Sequence, residues 1–146
     1  MSSDLDLASG VAATRQQFRR GLSAPSAGRK FARDFLADIG AAQRCQQVAE
    51  LLVSELIANS VVHAHSTARL SVTVTGETAR IEVRDDGPGW PKLRAPDEQG
   101  GYGLWMVNWL AREWGVRGTG GHGKTVWFAL PLSGASEAGS GGYAAR

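Results

Sequence analysis

The chain has 146 residues, of which 42% are hydrophobic and 21% are charged, and its formal net charge is +2. These values indicate one soluble globular domain with a real core, and so small a charge gives no reason to expect nucleic-acid binding. The single cysteine, Cys45, excludes an intrachain disulfide and a cysteine-based zinc cluster. Because the sequence contains neither an apolar run of membrane-spanning length nor a signal-peptide pattern, we expect a cytoplasmic protein without membrane contacts.

The chain is predicted to begin with a short unstructured segment and an edge strand. Residues 1–12 are small and polar, so we expect disorder there and a folded domain over residues 13–132. Residues 15–22 fit an edge strand in which Phe18 and Leu22 point inward.

Two helices are predicted to follow this strand. Apolar residues at helical spacing indicate a helix over residues 27–39, and Gly40 is suited to end it. Residues 43–65 predict a second helix whose apolar side chains cover nearly the whole circumference, which is typical of a buried helix.

The second helix carries three polar residues, Glu55, Asn59 and His63, at intervals of four. This spacing places them on one face, between apolar neighbours. A buried carboxylate is unfavourable unless it is paired or lines a pocket. The residues alone therefore leave two interpretations, a hydrogen-bonded network in the core or a ligand site.

The second half of the chain is predicted to be rich in strands. Residues 68–75 and 79–85 alternate apolar and polar side chains, which indicates a β-hairpin. The remaining predicted elements are a mobile loop over residues 89–103, a helix over 104–113, strands over 114–118 and 124–130, and a disordered tail over 133–146. This order predicts an α/β (α+β) two-layer sandwich, in which helices cover one face of a mostly antiparallel mixed sheet.

Four motifs lie on these elements. They are Val53-Ser-Glu-Leu-Ile-Ala-Asn59 with His63, Val83-Arg-Asp-Asp-Gly-Pro-Gly89, Gly101-Tyr-Gly-Leu104, and Gly123-Lys-Thr-Val-Trp-Phe128. Each is weak alone, but their order resembles the Bergerat-fold ATPase superfamily of gyrase, heat-shock chaperones, histidine kinases and mismatch-repair proteins. The chain is most similar to the small bacterial serine/threonine protein kinases that act as anti-sigma factors, over about residues 18–132.

The resemblance implies ATP and Mg²⁺ as cofactors and gives roles to the polar helix face. Asn59 would contact the nucleotide and bind Mg²⁺, a cation that prefers oxygen ligands. Glu55, one turn earlier, would be the catalytic base that activates a hydroxyl or water for attack on the γ-phosphate. His63 would be either a packing residue that closes the helix or a partner close to Asn59 and the nucleotide.

The glycine motifs are implied to hold the base of the nucleotide. Asp85 would accept a hydrogen bond from the adenine amino group, and Thr125 would share a water molecule with it. Gly87 and Gly89 would let the backbone pass close beneath the base, where a side chain would collide.

The phosphates are implied to lie beneath residues 89–103, which would form a lid. Gly101, Gly103 and Leu104 would place free backbone N–H groups at the start of the third helix, a favourable position for anions. Lys124 would be either a further phosphate contact or a solvated strand residue.

Three functions are consistent with these motifs. The first is a kinase that phosphorylates a small antagonist protein; the second is a regulator that binds ATP and sequesters a sigma factor without catalysis; the third is a simple ATPase. Glu55 favours the kinase, since binding alone needs no base. Tyr102 stands where the family often has a basic residue, which weakens the case for efficient transfer more than that for binding. We expect a sigma factor, an antagonist protein or both as partners, and homodimers occur among the kinases that the chain resembles.

Overall fold

Strands and helices follow one another along the chain in nearly the predicted order. The computed structural model describes residues 2–6, 11–19, 21–63, 66–88, 102–121, 123–135 and 142–143. Its strands are β1 (Ser2–Asp6), β2 (Val11–Phe18), β3 (Ala68–Thr75), β4 (Thr78–Asp85), β5 (Glu113–Gly118), β6 (Lys124–Pro131) and β7 (Gly142–Tyr143). Its helices are α1 (Ala24–Asp38), α2 (Gln43–Ala58), which continues into a π-helical turn (Asn59–His63), and α3 (Tyr102–Leu110). No helix in these described ranges is long and apolar enough to cross a membrane.

The described strands form one sheet in the order β1-β2-β3-β4-β6-β5-β7. Neighbouring strands are antiparallel except for β5 and β7, which are parallel. The helices cover one face of this sheet, and the core lies between the two layers. The predicted two-layer α+β sandwich with a mostly antiparallel mixed sheet is therefore confirmed.

The β3–β4 hairpin provides the centre of the core. The alternation predicted from the sequence is observed, because Leu70 and Val72 of β3 and Ile81 and Val83 of β4 are buried against the helices. Burying an aliphatic side chain of this size stabilises the fold by about 1.5–3 kcal/mol. The hairpin thus holds the end of β4, where Asp85 lies, in a fixed position.

Helices α1 and α2 pack closely because a glycine lies at their contact. A Cβ atom at Gly28 would collide with Cδ1 of Ile57 and lie 3.4 Å from Cγ1 of Val53. Helix α1 ends at Asp38, and Gly40 lies just beyond its end as predicted, with a φ of 81°, the left-handed conformation that follows many helices. The N–H of Ala41 donates to the carbonyl of Leu36 at 2.9 Å and completes this cap.

The strand predicted over residues 15–22 was placed too late in the chain. The observed strand is Val11–Phe18, in which Phe18 is buried as expected, whereas Leu22 is 99% exposed beyond its end. The inward positions before Phe18 include Thr14 and Gln16, so the strand lacks the apolar alternation that would have located it.

Both termini contain strand residues where disorder was predicted. Ser2–Asp6 pairs with β2, and Gly142–Tyr143 pairs with β5, each at an edge of the sheet. An edge strand is held by backbone hydrogen bonds, which do not require the apolar pattern used in the prediction. Helix α3 also ends earlier than predicted, at Leu110, because Glu113 already belongs to β5.

Candidate functional site

The pairing of β4 with β6 brings together two residues that are far apart in the sequence. Asp85 and Lys124 are direct partners in this antiparallel register. Lys124 Nζ donates to Asp85 Oδ1 at 2.8 Å, and the side chains are only 11% and 7% exposed, respectively. The pair faces the helical layer and lies at its boundary with the sheet.

The carboxylate of Asp85 has further partners. The backbone N–H of Gly87 donates to the same Oδ1 atom at 3.0 Å, which fixes the turn that follows β4. The hydroxyl of Ser60 lies 3.1 Å from Oδ2 and 3.2 Å from the carbonyl of Leu56, so its single proton is shared between them. Asp85 is thus held in one orientation from three directions.

The start of α3 closes one side of the site by direct contact with Asn59. Gly103 is buried, and a Cβ atom there would collide with Nδ2 of Asn59. Leu104 follows with 5% exposure and packs into the core. Glycine at position 103 therefore lets α3 approach the end of α2 without displacing the Asn59 amide.

A small cavity of about 40 Å³ lies where these elements meet. It is large enough for a few water molecules, since one water needs about 10–15 Å³ of such space. Its lining residues come from α2 and its π-helical turn, β4, α3 and β6; they are Leu56, Asn59, Ser60, Val83, Asp85, Leu104, Lys124 and Val126. Hydrogen-bonding groups thus meet an apolar wall, a combination common in small-molecule sites.

Glu55 lies one turn before Asn59 but does not line this cavity. Its side chain is half-buried rather than fully buried, and none of the described residues makes a hydrogen bond to its carboxylate. The helix face therefore divides into Asn59, which lines the cavity, and Glu55, which is still open to solvent.

Gly123 allows β6 to begin close to the end of β4. A Cβ atom at this position would lie 2.8 Å from the backbone oxygen of Asp85 and 2.6 Å from Oγ1 of Thr119. Real Cβ atoms essentially never approach other atoms so closely. The glycine before Lys124 therefore permits the register that forms the ion pair.

Thr125 is not brought to Asp85. Successive residues of a strand face opposite sides of a sheet, and Lys124 faces the helices. Thr125 instead borders a wide depression on the opposite face, next to Arg84 and Arg117. The resemblance implied that Thr125 and Asp85 share a water molecule, and this expectation was wrong. Lys124, not Thr125, lies beside Asp85. At 8% exposure, Lys124 is not a solvated strand residue.

Several predicted site residues fall outside the part of the chain that the structure describes. These are Gly89, Gly101 and most of the predicted lid over residues 89–103. For His63 the described part is limited to the backbone, which ends the π-helical turn. Their predicted roles stay predictions.

Comparison with known families gives a match that spans most of the chain. The family described as histidine kinase-like ATPase domain matches residues 22–130. This range contains all four motifs and the elements from α1 to β6, except for Pro131, the last residue of β6. The chain belongs to this family. The predicted membership of the Bergerat-fold ATPases is thereby confirmed.

A solved structure shows the same fold as this histidine kinase-like ATPase domain. It is the crystal structure of the RsbU and RsbW domains of Rv1364c from Mycobacterium tuberculosis. The two share 22% sequence identity with a TM-score of 0.66, over 82% of this chain and 31% of the other. The present chain thus spans about a third of that protein's length. No curated protein matches the chain in a sequence comparison.

Two residues of the candidate site were missed in the sequence analysis. Ser60 holds Asp85, and Ser66 accepts a hydrogen bond from the N–H of Asp86 at 2.8 Å. Ser60 directly follows Asn59 within an apolar stretch. A serine in a helix predicted to be buried indicates a hydrogen-bond partner, because buried polar groups are paired. The partner itself could not be identified without knowing how α2 lies over β4.

Proposed function

We propose that the chain binds ATP with Mg²⁺ between α2, β4 and β6 and transfers the γ-phosphate to a serine or threonine of a small antagonist protein. The observation that carries this proposal is the fixed carboxylate of Asp85 in a cavity bordered by Asn59 and the glycine entry to α3. This arrangement offers an acceptor for a base, an oxygen ligand for a cation and a helix N-terminus for phosphates.

Asn59 fits the magnesium role by the orientation of its amide. Its Nδ2 end faces Gly103, which leaves the carbonyl oxygen for a cation. Mg²⁺ usually takes one or two protein ligands and completes its shell with waters and phosphate oxygens. One amide oxygen from the chain is sufficient for such a site, and the ion would supply charge neutralisation at the phosphates.

Glu55 fits the role of general base because its carboxylate is half-buried and close in sequence to Asn59 on the same face. In the proposed step a substrate hydroxyl loses its proton to Glu55 while its oxygen bonds to the γ-phosphorus. The bond from that phosphorus to the β–γ bridging oxygen breaks, and ADP leaves. If the protein only bound nucleotide, a carboxylate at position 55 would have no function in the site.

The catalytic role of Glu55 is tested by Glu55→Gln. We expect ATP affinity within about threefold of wild type by isothermal titration calorimetry, because Glu55 does not line the cavity. Transfer of labelled phosphate to a purified antagonist protein should fall by about 10²–10⁴-fold, the usual contribution of a positioned base. The matched control is Glu50→Gln, on the same helix, where Glu50 lies 3.6 Å from Arg33 and outside the site.

Three outcomes separate the candidate functions. Loss of transfer with retained binding supports the kinase. Binding without transfer or hydrolysis in wild type would favour a regulator that sequesters a sigma factor, and phosphate release without an acceptor would favour a simple ATPase. Transfer that survives Glu55→Gln contradicts the role of Glu55, and normal ATP binding by Asp85→Asn contradicts the nucleotide site.

A further inference from the structure

The ion pair between Lys124 and Asp85 lies where the proposed base-binding carboxylate is expected to be free. Its N–O distance is 2.8 Å, and it borders the cavity together with Val83, Val126 and Leu104. A nucleobase that reaches Asp85 must therefore meet the ammonium group of Lys124 as well. A bound base would therefore contact two charged groups, the carboxylate of Asp85 and the ammonium of Lys124, rather than a carboxylate alone.

Lys124 is not easily displaced from this position. The β4–β6 register places it directly opposite Asp85, and its side chain is almost fully buried among apolar neighbours. Separating a buried ion pair leaves an uncompensated charge, which is strongly unfavourable. The neutral amino group of a base does not replace that charge. Lys124 therefore stays beside Asp85 when a base binds.

Both members of the pair keep hydrogen-bonding capacity. A carboxylate offers about four acceptor positions, and the described partners of Asp85 are Lys124, the N–H of Gly87 and the hydroxyl of Ser60. About one acceptor position is left. An ammonium group has three N–H donors, and Lys124 uses one of them on Asp85. The site thus presents an acceptor and a donor side by side.

Adjacent donor and acceptor groups fit the edge of a purine in two forms. A 6-aminopurine such as adenine offers an N–H donor at position 6 and an acceptor at N1. A 6-oxopurine such as hypoxanthine or guanine offers an acceptor at position 6 and a donor at N1. A carboxylate alone would repel the oxygen of the 6-oxo form, whereas the ammonium of Lys124 donates to it.

We propose that Lys124 is a specificity-determining residue that lets this site take 6-oxopurine nucleotides as well as ATP. In the 6-amino form Asp85 accepts from the amino group and Lys124 donates to N1. In the 6-oxo form donor and acceptor stand in the opposite order along the ring edge, so the base lies displaced or turned over relative to adenine, and there Lys124 donates to O6 and Asp85 accepts from N1–H. This inference rests on the proposed nucleotide site and adds the class of base that it accepts.

The test compares the dissociation constants of MgATP and MgITP, whose bases differ only at positions 6 and 1 of the ring. They are measured by calorimetry for wild type, Lys124→Thr and Lys124→Met. Wild type should bind ITP within about tenfold of ATP. Both variants should increase the ratio of the ITP to the ATP dissociation constant by about tenfold or more, as expected for loss of a charge-assisted hydrogen bond. The control is Lys30→Met on α1, where an exposed lysine pairs with Asp34 and the ratio should not change.

The ITP and ATP dissociation constants are compared within the same variant. A general loss of stability affects both constants and therefore does not change their ratio. ITP binding more than about tenfold weaker than ATP binding in wild type would overturn the inference. An unchanged ratio in both variants would overturn it too. In either case, wild-type binding of ATP would still support the proposed nucleotide site. If wild type binds neither ATP nor ITP, both the proposed function and this inference are contradicted.

Discussion

At the scale of single residues, the contact between Gly103 and Asn59 links the start of α3 to the proposed magnesium ligand. No side chain fits at position 103 without moving the Asn59 amide, because a Cβ would meet Nδ2. The glycine in this motif is therefore explained by a close approach between two elements. Its backbone φ is not in the left-handed region, so conformational freedom is not the reason.

We expect Gly103→Ala to weaken MgATP binding by about tenfold, because the added methyl group displaces the Asn59 amide, which carries the proposed Mg²⁺ ligand; tenfold corresponds to about 1.4 kcal/mol. Calorimetry at fixed Mg²⁺ measures the effect. Gly121→Ala is the matched control, because no atom lies within 4 Å of a Cβ at that position. Wild-type affinity in Gly103→Ala would show that Asn59 moves away freely and that its position is unimportant.

The types of the site residues could be predicted from short motifs, but their pairing could not. Asp85, Asn59 and Gly103 were assigned to one site, and the structure places them around the same cavity or against its wall. The ion pair joins residues 39 positions apart and depends on the β4–β6 register. A shift of one residue would have brought Thr125 to the helical face instead. Sequence periodicity locates a strand but does not specify its register against a later one.

At the scale of elements, the contact between α1 and α2 positions the helix that carries Asn59. Gly28 of α1 lies against Ile57, which is fully buried two residues before Asn59. Ile57 cannot turn away into open space because its surroundings are core. The separation of the two helices therefore depends on the absence of a side chain at position 28.

We expect Gly28→Ala to lower the free energy of unfolding by about 1 kcal/mol, measured by urea denaturation. Alanine gains about 1 kcal/mol over glycine in a helix, but overpacking against Ile57 costs about 1–3 kcal/mol. Ile57→Val alone should cost about 0.5–1.5 kcal/mol. Because valine lacks the Cδ1 atom, the double variant should be more stable than the sum of the single effects by about 1 kcal/mol. Simple additivity would contradict the proposed collision.

Elements with a strong apolar period were predicted well, and those held by backbone pairing were not. The β3–β4 hairpin and the two long helices follow their side-chain patterns. Strand β2 was misplaced because Gln16 occupies an inward position, and β1 and β7 have no pattern to detect. These three strands exist through hydrogen bonds to a neighbour, which a single segment of sequence does not reveal.

At the scale of the whole molecule, Cys45 reports on how the fold and the site are coupled. It is the single cysteine in the chain and lies on α2, which also carries Glu55 and runs on into Asn59. The thiol is 2% exposed, and burial raises its pKa to about 11. Its reaction with a thiol reagent at pH 8 should therefore require opening of the structure.

The raised pKa of Cys45 also predicts a loss of stability as pH rises from about 9 to about 11, because the thiol of the unfolded chain releases its proton at lower pH than that of the folded chain.

Nucleotide should protect Cys45 if α2 opens only when the whole domain unfolds. At a free MgATP concentration of 100 times the dissociation constant, the unfolded population falls by about 100-fold, and the labelling rate should fall with it. The measurement is the rate of reaction with a chromogenic disulfide reagent at pH 8, with and without MgATP. Asp85→Asn, which loses binding in the proposed site, should show no protection. If saturating MgATP does not change the labelling rate of wild type, the start of α2 opens locally while the site stays formed. In that case the two ends of this helix would belong to separate cooperative units, and stability measured at Cys45 would not report on binding at Asn59.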